Sequence, residues 1–162
     1  MMGLVMMAVA ALAPQAAEAV WTIVPTGGPM LVAIQVGSAD QEGHIRMGAL
    51  TTFETPRQQP RPHRQVFEQF ALDCDADRSG RGRIHILNHL RIAEAGAPVD
   101  LMAPGDLAEP VIVPIDRRSE VGRAAEAVCR GQTPDGDPVT GSWDEVLEAV
   151  ESRIDLMPRV KS

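Results

Sequence analysis

Residues 66–74 read VFEQFALDC, and the alternation in this stretch decides how the chain folds. Phe70, Leu72 and Cys74 share one face of an extended strand, while Phe67, Gln69, Ala71 and Asp73 share the other, since successive strand side chains point to opposite sides. Cys74 therefore faces a core with large apolar neighbours. Asp75 to Gly82 is a polar, glycine-bearing turn, and Ile84, Ile86, Leu90 and Ile92 alternate along the segment beyond it. Together the two segments predict an antiparallel hairpin.

Toward the N-terminus the same period of two continues in Met30, Val32, Ile34 and Val36, then in Ile45, Met47 and Ala49. Gly27-Gly28-Pro29 and Gly37-Ser38-Ala39-Asp40 separate these strands as turns, giving a meander. Pro56 to Arg64 holds three prolines and three arginines and reads as a solvated loop. Beyond the hairpin, Gly96-Ala97-Pro98 turns the chain, and Val111 to Ile115 predicts a short final strand.

From Ser119 the period changes to that of a helix. Val121, Ala124, Ala125, Val128 and Cys129 form one apolar stripe, with Ser119 as N-cap and Gly131 just past the end. Cys129 lies on that stripe, and its alanines allow close approach to a sheet. Both cysteines thus point toward a shared core, and they are read as one disulfide rather than as a metal or redox site. In the chain-entropy model, closing a loop of about 55 residues stabilises a fold by roughly 4 kcal/mol. Residues 131–141, rich in Gly, Pro and Asp, read as a linker. A second helix follows, with Ser142 and Glu145 as a capping box and Trp143, Val146, Leu147, Val150 and Ile154 as its apolar stripe. That stripe has two readings: packing back on the domain, or presentation to a partner protein.

The N-terminus sets the compartment. Met1 to Ala13 is almost wholly apolar, Pro14 breaks the run, and Ala17-Glu18-Ala19 supplies the small residues that a secretory peptidase requires, so residues 1–19 read as a signal peptide. The run is shorter than the roughly 20 apolar residues needed to span a bilayer, and no later segment reaches that length. The expectation is a periplasmic or secreted protein with no integral membrane segment. Removing the signal leaves about 143 residues, enough for one domain with its own core. A net charge of −7 argues against the basic surface that nucleic-acid binding needs.

Candidate chemistry was weighed motif by motif. A calcium loop starting at Asp75 places Gly80 at the sixth position but Ile86 where a bidentate acid must stand, so Asp73, Asp75 and Asp77 read as a polar hairpin turn. His85 and His89 sit on a strand, where four residues span about 13 Å, too far for two rings to grip one ion. They read as exposed-face residues. Neither G-x-S-x-G, a phosphate-binding glycine loop, HExxH nor CxxC occurs. The expectation is therefore a protein without cofactor or metal, binding another envelope or extracellular protein. The alternative is a small periplasmic enzyme or ligand binder with a sheet pocket near His85 and His89.

Three segments carry a family resemblance: WTIV with Trp21, FALDC ending at Cys74, and VPIDRRSEVGRAAEAVC running through Ser119 to Cys129. They resemble the surface-adhesin protein E-like family of exported bacterial proteins over roughly Trp21 to Arg130. The resemblance implies an α+β fold, a curved antiparallel sheet of about six strands whose concave face receives the first helix, with a disulfide joining strand to helix. It also implies an adhesin-like binding role. The chain departs from that pattern in having no anchoring cysteine at the cleavage point, no tyrosine, and an added segment from Ser142 to Met157.

Overall fold

The structure, a computed structural model, describes residues 19–58, 62–75, 82–93, 98–102 and 111–157. The expected signal peptide lies outside these except for Ala19. Alternating apolar residues build one antiparallel sheet from β1 (Ala19–Val24), β2 (Met30–Ala39), β3 (Ile45–Arg57), β4 (His63–Asp73), β5 (Arg83–Ile92), β6 (Pro98–Met102), β7 (Val111–Pro114) and β8 (Asp137–Gly141). Its order is β6-β5-β4-β3-β2-β1-β8, with β7 also pairing with β5. Two helices complete the α+β fold, α1 (Glu120–Cys129) and α2 (Trp143–Asp155). The predicted caps are in place. The Ser119 hydroxyl accepts the Gly122 amide at 3.0 Å, and Ser142 forms a reciprocal capping box with Glu145.

The helices lie on opposite faces of the sheet. Ala124, Ala125 and Val128 of α1 pack with Val32, Ile34, Met47, Ala49, Phe70, Leu72 and Ile84. Val146 and Val150 of α2 pack with the alternate positions Trp21, Ile23, Ala33, Leu50, Phe67 and Ile92. The architecture is thus helix, sheet, helix. Cys74 and Cys129 are bonded across the α1 layer, with Cα atoms 5.2 Å apart, as their facing predicted.

Three local expectations are corrected. The segment read as a linker contains β8, whose Val139 lies opposite Trp21. Its β-branched Val139 and Thr140 suit a strand, and Pro138 is tolerated because β8 ends the strand order. Glycine at 136 is required where the chain enters β8, since a Cβ there would lie 2.2 Å from the Ile23 carbonyl oxygen. Part of the Pro/Arg loop is strand, because β3 runs on to Arg57 and pairs it with His63. In β5 the pairing steps from Asn88 opposite Gln69 to Ile86 opposite Phe70, leaving Leu87 as an extra residue. This bulge changes face mid-strand: Ile84 and Ile86 point toward α1, whereas Leu90 and Ile92 point toward α2. With β6 and β8 the sheet has eight strands among the described residues, roughly in line with the expected six or so.

Of the two readings of the α2 stripe, the structure has the one in which it packs back on the domain. Val146, Val150 and Ile154 are 0%, 0% and 1% exposed, and Trp143 and Leu147 pack half-buried against the same core. The α2 stripe is interior. Its anchor is aromatic: the Trp143 ring centroid lies 4.9 Å from that of Phe67 and 5.7 Å from that of Trp21.

Replacing Cys129 by serine releases the strand-to-helix tie. The expected loss is about 2–5 kcal/mol in chemical denaturation, and an unchanged midpoint would show that the bond carries no stability.

Candidate functional site

α2 covers only part of its face of the sheet. Its aromatic anchor sits over β1 and β4, and a strip beyond its first turn stays uncovered. Strand pairing identifies the side chains on that strip, since Trp21 faces Gln35, Gln35 faces Gly48, Gly48 faces Gln69 and Gln69 faces Asn88 across successive strands. The neighbouring row runs from Arg46 through Ala71 and His85 to Ile112 of β7. A cleft of about 220 Å³ opens here, lined by Gln35, Gly37, Arg46, Gly48, Gln69 and Leu87.

The β2–β3 turn holds the Arg46 side of the cleft in place. Its Asp40 carboxylate accepts the backbone amides of Glu42 and His44, both at 3.0 Å, and meets the Arg46 guanidinium at 3.2 Å. Partial desolvation acts to raise the Asp40 pKa, but those amides and the Arg46 charge outweigh it and hold the carboxyl below its ordinary value. His44 stacks on His85 with ring centroids 5.1 Å apart, tying the turn to β5. Toward α2, the Phe67 ring packs edge-on against Trp143 and lies over Gly48. Gly37 and Gly48 carry no side chains of their own, and the Arg46 stem, the Phe67 ring and the Gln35 amide fill the space their Cβ atoms would take.

The cleft is lined by amides and one guanidinium. Asn88 donates its side-chain amide to Gln69 Oε1, so Gln69 keeps its NH₂ as donor. Among the described residues the Gln35 amide makes no side-chain hydrogen bond, leaving a donor and an acceptor on offer. The chemistry available is recognition of a hydrogen-bonding ligand.

The histidine pair expected near one pocket is divided by the bulge at Leu87. His85 faces the cleft side, whereas His89 lies on the α1 side with its Nδ1 3.0 Å from Glu68 Oε1. Both are half-buried rather than exposed. Asp73, from the rejected calcium loop, serves the hairpin: Arg83 Nε and Nη2 donate to its Oδ2 at 3.1 and 2.6 Å, and the Asp75 amide reaches Oδ1 at 3.1 Å. Among the described residues no three His, Cys, Asp or Glu side chains converge as metal ligands, and no helix is long and apolar enough to cross a membrane. Gln35, Arg46, Gln69 and Asn88 were missed by motif reasoning. The available signal was Gln69, a polar residue between Phe67 and Ala71 on one face of the strand.

Compared with protein-family models, with curated proteins and with solved structures, the chain matches none.

The Arg83 hydrogen bonds, against partial desolvation, hold the Asp73 carboxyl below its ordinary value of 3.8. A depressed folded-state pKa contributes stability above the unfolded value and loses it as pH falls through the folded one. Arg83→Gln should therefore lower the melting temperature at neutral pH, with the gap to wild type closing below about pH 4. A gap that stays constant on acidification would remove this pair from the stability of the hairpin.

Proposed function

We propose that this chain is an exported envelope protein, periplasmic or secreted, that binds without catalysing, and that its cleft beside α2 holds another envelope or extracellular component. The observation that carries the reading is the cleft itself. Apolar stripes on both helices are spent on the core, so recognition falls to the uncovered strip where Gln35, Gln69 and Arg46 line one cleft. A strip of this kind selects by hydrogen bonding rather than by apolar area.

Two further facts support the compartment and the role. The Ala17-Glu18-Ala19 sequence after an apolar run fits export, and the Cys74–Cys129 bond fits a compartment where thiols oxidise. Resemblance to surface-adhesin protein E-like proteins points toward binding as well. An enzyme built around both His85 and His89 is disfavoured, because the two rings lie on opposite faces of β5.

Protein purified from the periplasm should show no free thiol without reductant, and labelling of both cysteines would defeat the export reading. For the cleft, the test is crosslinking and capture from native envelope extracts with wild type and with the Arg46→Ala, Gln69→Ala double variant. Wild type should retain a partner that the double variant loses at an unchanged melting temperature. Equal capture by both would take the cleft out of the binding role.

A further inference from the structure

The cleft has a mixed set of hydrogen-bonding groups and a small volume, and together these narrow the ligand. A Cβ at Gly48 would come 3.2 Å from the Phe67 ring and 3.7 Å from Gln35 Oε1, and one at Gly37 would come 3.2 Å from Arg46 Cβ. Glycine at both positions makes room for those side chains, so the Gln35 amide and the Arg46 stem settle close over the strands at the cleft.

The polar groups match hydroxyls better than anions. Arg46 is half-exposed and already neutralised by Asp40 at 3.2 Å, so the site offers no unpaired positive charge. Gln35 presents an acceptor as well as a donor, while Gln69, its oxygen engaged by Asn88, presents donors. A phosphate or carboxylate only accepts, and would set its charge against the Gln35 oxygen. Hydroxyls both donate and accept, which satisfies the whole set. Leu87 adds apolar surface to the lining. A pyranose combines these needs, having a hydroxyl periphery and a face of C–H groups.

Size points the same way. At about 220 Å³ the cleft lies below the roughly 300–1,000 Å³ of pockets for drug-sized ligands, and it suits one ring rather than a folded partner. We infer that the cleft is a saccharide subsite that takes one neutral pyranose unit of an envelope or extracellular glycan. This rests on the cleft being the recognition surface, and it specifies what is recognised there.

The experiment is an amide NMR titration of the whole oxidised protein with methyl α-glucopyranoside, methyl α-mannopyranoside and methyl β-galactopyranoside. Parallel arms use glucuronate, inorganic phosphate and a blocked alanine tripeptide. At least one neutral glycoside should give saturable shifts at the Gly37 and Gly48 backbone and at the Gln35, Gln69 and Asn88 side-chain amides. Gln35→Ala and Gln69→Ala should each weaken that binding about tenfold, the loss of one good hydrogen bond, with α1-side signals unmoved. Saturation only by phosphate, glucuronate or the tripeptide would overturn the saccharide assignment while leaving the cleft as a binding surface. Shifts confined to other faces, no saturable shift in any arm, or unweakened glycoside binding by both variants would also overturn it. The envelope capture described above does not depend on a sugar, so the two readings fail separately.

Discussion

A sheet that is apolar on both faces has to be covered on both, and that requirement organises this molecule. Ile34, Ala49 and Leu72 face one way, and Trp21, Leu50 and Phe67 the other, each essentially closed to solvent. Full burial of one large aliphatic or aromatic side chain is worth about 1.5–3 kcal/mol, so neither face can be left wet without a large fraction of the stability going with it. Each helix answers for one face. α1 brings small residues, which permit close approach, and is held by a covalent bond; α2 brings a tryptophan and branched aliphatics and is held by packing and by β8 at its N-terminal end.

Sequence patterns carried much of this arrangement. Period-two alternation, the caps at Ser119 and Ser142, and the two cysteines on inward positions were all local signals that the tertiary structure respects. What failed was local signal too weak to compete with composition. Asp137-Pro138-Val139-Thr140-Gly141 looks like a linker because Gly and Pro dominate its surroundings, yet an edge strand needs few residues and tolerates a proline. The bulge at Leu87 left no mark at all. Nothing in RIHILNHLRI announces an extra residue, since either register keeps isoleucine and leucine inward on one face or the other.

The same bulge explains why the candidate site was hard to find. It carries Asn88 to the α2 side, where it meets Gln69, and sends His89 to the other side, so an amide-lined strip stands where spacing suggested a histidine pocket. Sites made of single polar residues on four different strands have no sequence motif. They appear only once pairing fixes which side chains share a row. Gln69 was visible as a polar residue among apolar ones, but its companions were not.

Pairing of β1 with β8 has a kinetic consequence. Trp21 lies opposite Val139 and beside Trp143, so the first strand finds its outer neighbour and its helical cover only in the last part of the chain. Contacts so distant in sequence carry a loop-closure cost before they return any energy, which slows folding. The strands through β7 and then α1 can assemble first, while the α2 half of the core waits for residues 137–155. Until that segment docks, one apolar face of the sheet stays open to aggregation.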